Sequence, residues 1–271
     1  MSLDHKISEV RALLDWVQRD YAPATFACSF GAEDMVLMDL IAQHYPGITV
    51  FTLDTGRLPE ETYSLMRDVA DRYGIHVPVY FPESAAVEAY VAQNGPNGFY
   101  DSVELRKKCC HIRKVEPLKR ALHGKRAWIT GLRRDQAPTR KELAVSEFDA
   151  GNGLQKISPL LDWSLSDVWA YIKQFNVPYS ALHDRGYTSI GCAPCTRAIT
   201  PGEEVRAGRW WWEDPEIREC GLHPDKRRVT PTVFAAGTDR ASGQEKGGEG
   251  VEEEEHGALA GAARETIRID Q

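Results

Sequence analysis

Residues 25–57 read TFACSFGAEDMVLMDLIAQHYPGITVFTLDTGR, and the alternation inside this stretch decides the fold. Thr25 to Ser29 reads as a short strand. Glu33 to Tyr45 reads as an amphipathic helix with Met35, Leu37, Met38, Ile41 and Ala42 on its apolar side, and Ile48 to Leu53 as a β-branched strand. A strand, a helix and a strand in that order make a βαβ unit. Outward from it the alternation continues. Pro59 suits the opening of a helix, Glu60 and Glu61 favour its dipole, and the pattern runs to Tyr73 before a strand over His76 to Phe81. Ala127 to Gly131 reads as a further strand and Ser166 to Phe175 as a helix. The expected fold class is α/β: a single domain built on a doubly wound, Rossmann-like parallel sheet, with ligands at the carboxyl ends of the strands.

The bulk numbers fit that reading. With 271 residues, 42% hydrophobic and 27% charged, the chain is an ordinary globular protein able to bury a core without staples. A net charge of −7 argues against a general binder of nucleic acid or membrane surfaces, which needs a basic footprint. The N-terminus, MSLDHKISEV, carries charges where a signal peptide needs an apolar run, and Asp39 interrupts the apolar segment from Met35 to Ala42, so a cytoplasmic location is expected. Residues 225–271 differ in kind. They hold seven of the 22 glycines, none of the seven tryptophans, one aromatic (Phe234) and the run Glu252–Glu255. That composition reads as a disordered, low-complexity tail with a short helix near 257–268, leaving 1–224 as the folded domain.

Three strand ends carry polar groups. Ser29-Phe30-Gly31-Ala32-Glu33-Asp34 lies between strand and helix, where backbone N–H groups at a helix start can cradle a phosphate. Asp54-Thr55-Gly56-Arg57 ends the next strand with a carboxylate, a hydroxyl and a flexible turn suited to ribose and phosphate. After the strand at 127–131, Arg133 and Arg134, with Arg140 nearby, offer guanidiniums that match planar oxyanions.

The six cysteines group. Cys109-Cys110 and Cys192-Ala193-Pro194-Cys195 form a two-plus-two set, and four thiolates can hold a tetrahedral zinc or an iron–sulfur cluster; spacing alone leaves both open, together with uncoordinated thiols. Arg106, Lys107, Lys108, His111, Arg113 and Lys114 crowd the adjacent pair, which suits an anionic cluster and an anionic ligand. Cys220 stands apart in Glu219-Cys220-Gly221-Leu222-His223, a glycine-flanked position open to a nucleophilic role, with His223 as a potential helper. Cys28, on the first strand, reads as a small buried hydrophobe, and Trp210 to Trp212 as packing residues.

The SFGAED loop, LDTGR, KKCCHIRK, GLRRDQ, GCAPC and ECGLH follow one another in an order that resembles the assimilatory adenylyl-sulfate (APS) reductases, relatives of the phosphoadenylyl-sulfate (PAPS) reductases, over residues 10–224. The resemblance implies an adenine-nucleotide α-hydrolase-like fold, one [4Fe-4S] cluster on Cys109, Cys110, Cys192 and Cys195, and a catalytic nucleophile at Cys220. It also implies substrate contacts from Lys114, Arg206 and Arg209, and a nucleotide lying against Ser29, Gly31, Asp54, Thr55 and Gly56. Arg133, Arg134, Arg140 and His223 complete the substrate-binding set expected here. The implied reaction converts APS to sulfite and AMP with thioredoxin as reductant. A PAPS reductase, which in its common form lacks the four cluster cysteines, and a zinc-stabilised nucleotide-binding protein are the alternatives. The expected partners are APS and thioredoxin, with a homo-oligomer left open and no nucleic acid or membrane. Members of this group usually end soon after ECGLH, so the tail departs from their pattern.

Overall fold

The computed structural model describes residues 1–137, 140–214, 218 and 221–222, all within one compact unit spanning Met1–Val229. The tail from 225 to 271, with the helix expected near 257–268, lies outside the described residues. Six strands form one sheet: β1 (Ala24–Ala27), β2 (Ile48–Leu53), β3 (Val79–Tyr80), β4 (Ala127–Ile129), β5 (Ser146–Asp149) and β6 (Leu154–Ile157), in the order β3-β2-β1-β4-β6-β5. All pairings are parallel except β5 with β6, a hairpin at one edge. The chain moves from β1 to β2 on one side and places β4 on the other. The order therefore reverses beside β1, which opens a crevice at the strand ends.

Helices cover both faces. α1 (Leu3–Asp20), α2 (Ala32–His44), α3 (Glu60–Tyr73) and α7 (Leu165–Gln174) share the large core with the sheet, through residues such as Leu14, Leu37, Val69 and Val168. On the opposite side, α6 (Glu116–Leu122) packs Leu118, Ala121 and Leu122 against Phe51, Trp128 and Leu154. The remaining helices are α4 (Ser84–Asn94) and α5 (Val103–Cys110).

The doubly wound sheet matches expectation, with local corrections. α2 is not amphipathic: it is buried on nearly every side from Asp34 to Ile41, because α1, α3 and α7 enclose the face that would otherwise meet water. Asp39 is tolerated there because Tyr73 and Tyr171 each donate a hydroxyl to it at 2.8 Å, as does the Gln43 amide. The strand expected over 76–81 shrinks to two residues, since Pro78 has no N–H for the ladder and gives only its carbonyl, to Thr52 N. Among the described residues no helix is long and apolar enough to cross a membrane.

Candidate functional site

At the carboxyl ends of β1, β2 and β4 lies a cleft whose walls include Ser29, Gly31, Asp34, Gln136, Arg140 and Lys114, and, across from them, Arg206, Arg209 and Leu222. The loop after β1 is rigidly held. Ser29 donates both its backbone N–H and its hydroxyl to Asp34 Oδ2, each at 2.6 Å. Burial pushes the Asp34 carboxyl up to about 6, while the Ser29 and Gly131 donors pull the other way. A side chain at Gly131 would stand 2.0 Å from Asp34 Oδ1, so glycine here lets the strand end approach the carboxylate. Phe30 adopts a left-handed conformation (φ 61°) with its ring buried, a strained arrangement of the kind that collects at binding loops. Gly31 caps α2 without needing unusual torsions, and a Cβ there would meet nothing closer than 3.6 Å, so the fold itself does not require its bareness.

The second strand end splits in two. Asp54 is buried and closes its own turn, accepting from Gly56 N at 2.7 Å and Tyr63 OH at 3.0 Å. Gly56 takes the left-handed conformation (φ 70°) that this turn demands. Neither lines the cleft, which leaves the expected nucleotide contact from these two without support in the geometry. Thr55 does line it, and its hydroxyl sits 3.2 Å from Cys192 Sγ.

The three arginines after β4 part company. Arg133 is wholly buried, with Nε 2.8 Å from Glu33 Oε1 and a second short ion pair to Asp135. Arg134 pairs with Asp162 at 2.6 Å and donates to the carbonyls of Lys141 and Leu143. Arg133 lies inside the protein and Arg134 is part-exposed, neither lines the cleft, and carboxylates of this chain already pair with both, so the contact with substrate oxyanions expected of these two has no support in this geometry. Arg140, almost fully buried, does line the cleft.

The four grouped cysteines come together. Cys109 and Cys110 end α5, just where the helix widens into a π-turn over His111–Val115 that also carries Arg113 and Lys114. Cys192 and Cys195 flank a short 3₁₀ turn tied to the β2 loop by a bond from Ala193 N to Arg57 O of 2.8 Å. Cys110 and Cys195 are buried with Phe99 and Trp210, and Cys109, Cys192 and Trp212 pack against them. Burial pushes the Cys195 thiol up to about 12, reinforced by the neighbouring Cys192, while Lys114 and Arg209 pull it down. At Cys192 burial is outweighed by Lys114, the Thr55 hydroxyl, Arg209 and Arg113, which hold the thiol below its usual range. Cys109 is raised by burial against the pull of Arg113. None of these cysteines is in a disulfide, and among the described residues no three His, Cys, Asp or Glu side chains converge as ligands of a single ion.

Trp210 joins the two areas. It is buried, left-handed (φ 43°), and faced by the guanidiniums of Arg209 at 4.6 Å, Arg106 at 4.8 Å and Arg206 at 5.9 Å. Arg209 donates to Ile190 O at 3.2 Å, and a Cβ on Gly191 would meet its guanidinium at 2.2 Å. Arg106 and Glu213 form a fully buried pair, with Nε to Oε1 at 2.8 Å and Nη2 to Oε2 at 2.5 Å. Cys28 is buried, as expected, and its thiol is raised by that burial. Cys220 and His223 lie outside the described residues, while Leu222 lines the cleft.

The phosphoadenosine phosphosulfate reductase domain family matches residues 23–198 of this chain. The chain belongs to that family. Among curated members, the adenosine 5'-phosphosulfate reductase of Allochromatium vinosum is 57% identical over 81% of this chain and 85% of its own. That of Burkholderia cepacia is 52% identical over 86% and 93% respectively. In solved structures, the phosphoadenylyl-sulfate reductase of Candida auris, in complex with phosphate, superposes with a TM-score of 0.59 at 29% identity, covering 73% of this chain and 98% of that one. A Candida glabrata FMN adenylyltransferase mutant (TM-score 0.50, 15% identity, 83% and 78% coverage) shares the fold alone.

For a member of the phosphoadenosine phosphosulfate reductase domain family, the structure adds residues to those the sequence assigned to the substrate and metal sites. Gln136, His183 and Thr188 line the cleft. Arg113 donates to Thr55 O at 2.6 Å beside the cysteines, and Glu213 anchors Arg106. Gln136, within the GLRRDQ motif, and Arg113, within KKCCHIRK, left signals that motif reading could have followed; a buried ion pair between residues 107 apart has no local signature.

Proposed function

We propose that this chain is an adenylyl-sulfate reductase that releases sulfite and AMP in sulfate assimilation. The observation that carries the reading is the seam between a cation-lined nucleotide cleft and a pocket of four thiols: Lys114 and Arg209 belong to both. The names of the relatives at 57% and 52% identity point the same way.

The donor set fits an iron–sulfur cluster on Cys109, Cys110, Cys192 and Cys195. It consists of thiols only, it is wrapped in aromatic side chains, and its nearest charges are Lys114, Arg113, Arg106 and Arg209, which would offset the negative charge of a four-thiolate cluster. When bound, the cluster supplies a cross-link between two chain segments and a concentration of charge beside the cleft.

The protein's own steps follow from the chemistry of its groups. Ser29, Gly31 and the start of α2 face the nucleotide; Arg140, Lys114, Arg206 and Arg209 hold phosphate and sulfate oxygens. The Cys220 thiolate attacks the sulfur of the sulfate group, the bond from that sulfur to the bridging oxygen breaks, and AMP leaves with the electron pair, giving a Cys220 thiosulfonate. A thioredoxin thiolate then attacks Cys220 Sγ and expels sulfite. The second thioredoxin thiol resolves the mixed disulfide, so two thiols are oxidised and Cys220 returns as a thiolate. Gly221, left-handed at φ 86°, follows Cys220 directly, which supports a turn there. Residues 1–224 form the catalytic unit in this reading, 225–271 an appendage, and a need for reduced thiols suits a cytoplasmic location.

The test is a sulfite assay with reduced thioredoxin, comparing APS with PAPS on purified protein whose iron and zinc contents are known. Turnover of APS by a brown, iron-loaded protein is expected. A preference for PAPS, or a colourless protein with stoichiometric zinc, contradicts the reading.

A further inference from the structure

Residues 131–137 start from the phosphate-loop side of the cleft, Arg140 stands at its wall, and one side chain makes the join between them. Arg133 is pinned at zero exposure by Glu33 at 2.8 Å, by Asp135 and by the carbonyl of Trp163 at 3.4 Å. Glu33 itself belongs to the loop that starts α2. With its guanidinium fixed, Arg133 presents its backbone N–H to Gln136 Oε1 at 3.1 Å. The same oxygen accepts from Arg140 Nη1. A carbonyl oxygen has two lone pairs, and here both are used by donors. The main chain supports this arrangement, with Arg140 N donating to Ala137 O at 3.0 Å and Gln136 N to Arg133 O at 3.4 Å. Gln136 and Arg140 both line the cleft.

We infer that Gln136 is a positioning residue for substrate: its amide oxygen holds the Arg140 guanidinium at the cleft and ties it, through Arg133 and Glu33, to the phosphate loop. The inference rests on the reading above that Arg140 contacts an oxyanion of the nucleotide. A long arginine loses rotamer freedom when it binds an anion, and a residue that orders it beforehand lowers that loss. The amide suits the task because it adds an acceptor without adding charge; a carboxylate would neutralise the guanidinium the substrate needs. The consequence falls on binding and not on the chemical step, since Gln136 acts on a group that holds substrate in both ground and transition states.

The experiment is a double-substitution cycle on the iron-loaded full-length protein, with dissociation constants for APS and AMP by calorimetry in a Cys220→Ser background, which binds APS without reacting, and steady-state kcat for APS with Cys220 intact. Gln136→Met keeps the length and removes the acceptor. It is expected to weaken both ligands about tenfold, the scale of one hydrogen bond to a charged group, with kcat within about twofold. Arg140→Ala weakens them at least as much, and adding Gln136→Met to it changes little further, because the two act as a unit. Gln136→Asn, which retracts the amide by one methylene, should repeat the effect and replaces the methionine variant if that one does not fold. Unchanged binding in both Gln136 variants, or losses that simply multiply in the double variant, overturn the inference. If Arg140→Ala leaves both ligands unaffected while APS is still turned over, Arg140 is no ligand and the inference falls alone. If the cycle couples with AMP while APS is not turned over, the positioning role stands and the assigned reaction falls.

Discussion

The sheet edge and the cysteine pocket are neighbours held by different physics. The edge is the rim of a large core: β1, β2 and β4 run straight into buried helices, and its loops are fixed by local bonds such as Ser29 to Asp34. The pocket has a small core of its own, with Phe99, Cys110, Cys195 and Trp210 at its centre. Its chain from 188 to 214 contains little beyond short turns and is pinned instead by long side chains, with Arg106 on Glu213, Arg209 on Ile190 O and Tyr100 on Pro194 O. The α/β part is held by a large continuous apolar core, whereas the thiol part has a small one and a few side-chain ties. Each substitution below is expected to strike one half and spare the other.

The largest effect belongs to the thiols. Cys195→Ser is expected to remove most of the iron and lower the melting temperature, because ligand binding to two distant segments is folding free energy. Full iron occupancy, measured against protein concentration, would break the contrast. Next comes Arg106→Ala, which leaves Glu213 buried without its cation and should cost about 3–5 kcal/mol in denaturant unfolding. Loss well under that range would mean that solvent reaches Glu213 and that the pocket is less closed than its burial indicates.

At the seam the expected effect is on ligand binding. Lys114→Ala should raise the APS KM about 10- to 100-fold, corresponding to a charged hydrogen bond worth ~1.5–3 kcal/mol. Arg134→Ala, whose partner Asp162 is largely exposed, should leave KM unchanged and stability within about 1 kcal/mol. Equal KM effects in the two variants would erase the distinction between scaffold and cleft cations.

The sheet edge has a pH signature. Asp34 titrates near 6 in the folded protein, above the ordinary carboxyl value of 3.8. Between these values the unfolded chain releases its proton while the folded one keeps it, so this group's contribution to stability falls as pH rises from about 4 to about 6 and is level above. Subtracting the unfolding curve of Asp34→Asn from that of the wild type should isolate this decline. A difference that is flat across the interval, or that rises, would show that Asp34 is better solvated than the loop geometry implies.

The same contrast governs what the sequence disclosed. The βαβ unit was readable because strand and helix periodicities lie within a few residues of their outcome: Ile48–Leu53 forms the strand as read, and α3 begins one residue after Pro59. The meeting of Cys109, Cys110, Cys192 and Cys195 was readable from residue type, since grouped thiols have few other uses. The arginines were not. Arg133 and Arg140 look alike in sequence, but one is matched by Glu33, 100 positions away, and the other reaches the cleft; such long-range pairing leaves no periodic trace. α1, from Leu3 to Asp20, and the hairpin of β5 and β6 went unread, as did the π-turn that sets Lys114 beside the thiols.

The most direct test of the account is the fate of Cys220 during a single turnover. Wild-type protein incubated with APS alone should gain one sulfonate, located at Cys220 by peptide mass spectrometry, and reduced thioredoxin should discharge it as sulfite. Cys220→Ser should keep its iron and bind APS yet form no adduct and no sulfite, because a hydroxyl offers no comparable anionic nucleophile at neutral pH. Sulfite production by that variant, or an adduct carried on Cys28 instead, would contradict the mechanism.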